Sequence, residues 1–74
     1  MKSSNYLLLT QLHEKSFGRY YTTDLMLDID SIESISYTEN RITLIYTKTG
    51  RTYKVAECYR TVVEDIKNVI GRPQ

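Results

Sequence analysis

One cysteine, one histidine and no tryptophan occur among 74 residues. Cys58 has no second cysteine to bond, so an internal disulfide is impossible. Cys58 and His13 fall short of the roughly four ligands of a structural zinc site. A lone cysteine also fits a reducing compartment. Neither sign of charge dominates, because ten Lys and Arg against nine Asp and Glu leave a net +1. That balance argues against a generic nucleic-acid or membrane-surface binder, which is normally basic. The apolar run Tyr6 to Leu9 is far too short for a signal peptide or a membrane span. Paired catalytic carboxylates, a Gly-rich phosphate loop, a Ser/His/Asp arrangement and a metal-ligand cluster are all missing. These absences describe a cytoplasmic, non-enzymatic protein with no cofactor, no metal and no membrane span. No linker or repeat divides the chain, so residues 1–74 read as one small domain, with 1–5 and 72–74 as frayed ends. A domain of this size buries only about 60% of the surface of its unfolded chain. Disulfides, a metal or a partner subunit commonly make up the shortfall. With the first two excluded, a homo-oligomer is the expected remedy.

What the chain does have is strand pattern. Tyr6 to Leu12 is a short apolar run that suits a first strand, with His13 to Gly18 as the connection after it. From Tyr20 to Ile29, Tyr21, Thr23, Leu25, Leu27 and Ile29 share one face, and Tyr20, Thr22, Asp24, Met26 and Asp28 the other. Asp30-Ser31-Ile32 reads as a tight turn. Alternation resumes at Ile35 and Tyr37. Thr38-Glu39-Asn40 follows, with Asn40 suited to a left-handed conformation. Arg41 to Thr47 alternates again, and Lys48-Thr49-Gly50-Arg51 is the clearest hairpin turn. A two-residue Thr49-Gly50 loop would set Tyr46 opposite Tyr53 and Leu44 opposite Val55, all four facing the core. Tyr59, Val62, Val63, Ile66, Val69 and Ile70 repeat at helical spacing. Gly71 and Pro73 stand where the helix should stop. The expected fold is α+β: an antiparallel four- to five-stranded β-meander followed by one C-terminal helix on one sheet face.

One helix covers one face, and the other face holds apolar residues. Whichever of Leu7/Leu9 or Leu8/Leu12 enters the core, the other pair points away, and the register above adds Met26 and Ile45. Such a patch marks a partner contact. The first connection adds Phe17, Arg19, Tyr20 and Tyr21. Tyrosine offers large contact area at low entropic cost, so one reading of this segment is a binding loop. Its bland alternative packs Tyr21 in the core and lays Tyr20 over an edge. Arg41, Lys48, Arg51 and Lys54 flank Tyr46 and Tyr53, the ingredients of a nucleic-acid surface. The register turns both tyrosines inward, however, which removes the stacking platform. The candidate partner-binding residues are therefore Phe17, Arg19, Tyr20, Met26, Ile45, Arg51 and Lys54. Asp28 and Asp30, with Asp24 and Glu33 nearby, lack the Gly-centred loop of a cation site and read as solvated strand and turn positions. Cys58, just before the helix, reads as a small cap residue rather than a nucleophile.

Leu9-Thr10-Gln11-Leu12 and Ile32-Glu33-Ser34-Ile35 match a Leu-Thr-x-Leu start and an Ile-Glu-x-Ile centre. Ile42-Thr43-Leu44, Thr49-Gly50, Tyr53-Lys54-Val55-x-Glu57, Val62 and Ile66 continue the pattern. With these motifs the chain resembles the small FlbD-type (SwrD-type) flagellar proteins over most of its length. The resemblance implies a role in bacterial motility without enzymatic activity. The chain departs from that family in two places. His13 to Asp24 is longer and more aromatic than the family's brief Asn-Gly connection, and Cys58 stands where the family has Ser. The expectation is a non-catalytic module that binds a protein partner. The alternative is a small inhibitor or nucleic-acid-associated regulator from a phage or mobile element, using the basic 41–54 hairpin.

Overall fold

The computed structural model describes residues 5–70. Apart from Asn5, the ends expected to fray lie outside them, as do Gly71 and Pro73. The described chain runs β1 (Tyr6–Glu14), β2 (Tyr20–Asp28), β3 (Ile32–Tyr37), β4 (Thr43–Thr47), β5 (Thr52–Val55) and α1 (Tyr59–Ile70). Five antiparallel strands followed by one helix are the α+β content expected. The neighbour order is β2-β1-β5-β4-β3, so a purely sequential meander is corrected at one step. β2 and β3 form opposite edges, and β1 pairs with β5 instead, Gln11 opposite Val55. The break comes at the turn Ile29–Ser31. There the Asp28 carboxylate accepts the Asp30 N–H at 3.0 Å, and the Ser31 hydroxyl donates to the Asp28 carbonyl at 2.6 Å. Local side-chain bonding of this kind competes with a strand ladder and turns the chain.

The core consists of Leu7, Leu9, Leu27, Ile29, Ile45, Val55 and Val62. Leu7 and Leu9 are thus the inward pair of β1, and Leu8 faces out. From α1 only Val62 is fully buried, while Ile66 and Val69 lean on the cluster. Glu57 ties the layers together. Its carboxylate oxygens both accept the Thr10 N–H at 3.0 Å, and its carbonyl accepts the buried Thr43 hydroxyl at 2.7 Å. The strand-to-helix junction is thereby fastened to β1 and β4 together.

Two turns share one geometry and fix the β3–β4–β5 register. In each, a threonine opens a three-residue loop. Thr38 N–H donates to the Ile42 carbonyl and Thr47 N–H to the Arg51 carbonyl, both at 2.9 Å. The threonine hydroxyls take up the returning N–H groups, Ile42 at 3.2 Å and Arg51 at 3.0 Å. The third loop residue is left-handed in both, Arg41 at φ 65° and Gly50 at φ 92°. This is the three-residue hairpin with a bulge at its last position. Arg41, not Asn40, takes the left-handed place. The loop is one residue longer than a Thr49-Gly50 turn, so the register slips by one and the side chains of β4 change face while those of β5 keep theirs. Ile45 lies opposite Tyr53, and Leu44 opposite Lys54. Ile45 is 0% exposed. Its expected place on the open face is therefore corrected, and it presents nothing to a partner. Tyr46 and Leu44 turn outward in its stead, and Tyr53 alone of the two tyrosines packs against the core.

Candidate protein-binding surface

The molecule measures 46 × 22 × 20 Å. β1 and β2 pair over nine residues without a bulge, from Tyr6–Asp28 to Glu14–Tyr20. At about 3.4 Å per residue this ribbon spans some 30 Å. The β1–β5 ladder is short, with Gln11 opposite Val55, whereas the β1–β2 ladder continues to Glu14 opposite Tyr20. β1 extends to Glu14, which shortens the expected connection to Lys15–Arg19. There Lys15 N–H donates to the Arg19 carbonyl at 2.6 Å. Phe17 (φ 62°, ψ 37°) and Gly18 (φ 72°) are both left-handed, the pattern of the primed turns that match strand twist.

Phe17 is 98% exposed. Left-handed backbone is ordinary for glycine and costly for a bulky side chain. The chain thus spends strain to carry a bare phenyl ring at the tip. Arg19, the last residue of the connection, and Tyr20, the first of β2, follow it closely, both exposed. Behind them the ribbon is braced by its own side chains. The His13 and Tyr21 rings stack at 4.7 Å and 12°, and His13 Nε2 lies 2.7 Å from the Thr23 hydroxyl. Lys15 Nζ sits 5.5 Å from the Tyr21 ring centroid. Tyr21 is 46% exposed, so it belongs to this ladder and not to the core.

Met26 lies farther along β2, opposite Leu8. They are 66% and 70% exposed, an apolar pair on the uncovered face. Phe17, Arg19, Tyr20 and Met26 therefore share one ribbon. Arg51 is remote, at the β4–β5 turn, and Lys54 points toward β1, where its ammonium lies 3.7 Å from Glu14. An exposed pair of that kind contributes about 0–1 kcal/mol. With Tyr53 inward, the basic hairpin offers Tyr46 alone for stacking. His13, Lys15 and Tyr21 brace this ribbon, although none of them was among the candidate partner-binding residues read from the sequence. Their signal was period-two spacing on either side of Gly18.

The best-formed concavity lies elsewhere, a shallow cleft of about 440 Å³ lined by Tyr37, Arg41, Cys58, Tyr59 and Arg60. Cys58 precedes α1 and its carbonyl accepts the Val62 N–H at 3.1 Å. Its thiol lies 3.0 Å from the Thr61 hydroxyl. That bond, followed by the Thr61 backbone N–H, lowers the thiol pKa below its ordinary value. The arrangement is a helix cap, and no acid–base partner for the thiol appears among its hydrogen bonds. Among the described residues no group of three or more His, Cys, Asp and Glu converges, and no helix is long and apolar enough to cross a membrane. Comparison with protein-family models, curated proteins and solved structures returned no match.

Proposed function

We propose that the chain is a non-catalytic interaction module that engages a protein partner through the tip and outer face of its β1–β2 ribbon. The observation that carries this reading is Phe17, a fully solvated aromatic ring held on left-handed backbone at the end of a braced arm. Strained residues of this kind concentrate where a protein meets its ligands. A rigid aromatic anchor flanked by arginine has the composition of an interface hot spot. Sequence resemblance to the FlbD-type proteins favours a partner within the motility apparatus. The nucleic-acid alternative has less support, because the basic hairpin keeps one outward tyrosine and ties Lys54 to Glu14.

The test is affinity capture from the source organism with wild type, Phe17→Ala and Thr49→Ala. Thr49 sits on the exposed β4–β5 turn. The reading requires a protein retained by wild type and by Thr49→Ala, and lost with Phe17→Ala. An identical set retained by all three contradicts it.

A further inference from the structure

The two edges of the sheet differ. β3 is six residues long, carries an irregularity between Ile32 and Ser34, and lies beside α1. β2 is nine residues long, unbulged, and has no Pro, Lys or Arg to discourage pairing. Of the usual protections of an edge strand, β2 keeps only two carboxylates, Asp24 and Asp28. Which of its groups face outward follows from the ladder. Ile29 N–H donates to the Asn5 carbonyl and Lys15 N–H to the Arg19 carbonyl. Odd-numbered residues of β2 therefore bond to β1. The N–H and C=O groups of Tyr20, Thr22, Asp24, Met26 and Asp28 point to the open edge.

Resting on the reading of the ribbon as the binding element, we infer that the β2 edge pairs antiparallel with β2 of a second copy, about a two-fold axis through Thr23. The two acidic residues choose this register. An axis through Asp24 sets that carboxylate against its own copy, and an axis through Met26 sets Asp24 against Asp28. Like charges directly opposite are destabilising. An axis through Thr22 sets Tyr20 against Asp24, and an axis through Leu25 sets Asp24 against Met26 and Thr22 against Asp28, so each brings a carboxylate onto the aromatic or the thioether. The axis through Thr23 joins Tyr20 to Met26, Thr22 to Asp24 and Tyr21 to Leu25. It pairs the exposed aromatic with the exposed thioether and leaves no charge facing a like charge. The outcome is isologous, as a two-fold contact must be, and the two Phe17 tips remain free at opposite ends.

Sedimentation equilibrium across a concentration series reads the mass directly. The inference requires it to rise from 8.7 kDa toward twice that value. Thr22→Pro removes an outward N–H and no β1–β2 bond, so it keeps the circular dichroism of the wild type and stays at the monomer mass. Thr23 meets itself in a non-hydrogen-bonded pair with Cα atoms about 4.5 Å apart, within disulfide reach. In a Cys58→Ser background, Thr23→Cys oxidises to a dimer many-fold faster than Thr49→Cys. That comparison decides the register even if Thr22→Pro unfolds. A constant monomer mass, or equal cross-linking at 23 and 49, overturns the inference. If the mass stays constant while Phe17→Ala still loses its partner, self-pairing fails and the proposed function stands.

Discussion

Arg41 and Gly50 occupy the same place in two matching turns, and only one of them is suited to it. A non-glycine residue in the left-handed region costs about 1–2 kcal/mol. Glycine returns part of that, about 0.5–1 kcal/mol, as chain entropy. Arg41→Gly should therefore be neutral to mildly stabilising, and Gly50→Ala should cost about 1 kcal/mol, although open space surrounds a Cβ at Gly50. Urea denaturation of both variants checks the pair, and a Gly50→Ala protein as stable as wild type would refute the turn geometry. Cys58 gives a pH-dependent prediction. Because the Thr61 hydroxyl lowers the thiol pKa, the thiolate survives to lower pH than in a free cysteine. The iodoacetamide rate should rise at correspondingly lower pH. Thr61→Val should move that rise upward, and an unmoved profile would remove Thr61 as the cause.

At the scale of elements, register is the decisive quantity. Ile45→Ala should cost about 2–5 kcal/mol as a cavity in the core. Leu44→Ala, on the outward face, should cost about 1 kcal/mol or less. The reverse order in thermal melts would restore the two-residue turn. Glu57→Ala should cost about 1–3 kcal/mol by orphaning the Thr10 N–H. The helix was legible in the sequence because Tyr59, Val62, Val63, Ile66 and Val69 repeat at its period. β2 was legible from its alternation. The β4–β5 register was not, since Thr49-Gly50 fits a two-residue loop as well as a three-residue one. The difference lies in Thr47, whose hydroxyl takes the Arg51 N–H and stabilises the longer loop. β1–β5 pairing was hidden for another reason. It joins residues far apart in sequence, and the Glu57 clamp reaches 47 positions back to Thr10.

Across the whole molecule, the core and the proposed binding tip occupy separate ends. The core gathers beneath α1, while the ribbon beyond Gln11 contributes no fully buried residue and is held by the His13–Tyr21–Lys15 ladder. Alternation left a core place open to Tyr21 because the pattern of β2 does not record where the sheet stops. This is also why the bare tip was visible only in part. Phe17, Arg19 and Tyr20 were marked by residue type, and their projection by the fold. If the separation holds, substitutions at the tip leave stability alone. Phe17→Ala should unfold within about 0.5 kcal/mol of wild type, with the same Tm. A large loss would mean that the ring packs on the domain.

The central claim is that the ribbon tip is where a partner meets the protein, and a photo-cross-linker at that point tests it most directly. Benzoylphenylalanine placed at position 17 keeps the aromatic ring. The same probe at position 49 samples an equally exposed turn away from the ribbon. The account predicts a discrete protein adduct on irradiation in the source cells from position 17 and none of that mass from position 49. No adduct from position 17, or the same adducts from both, would contradict it.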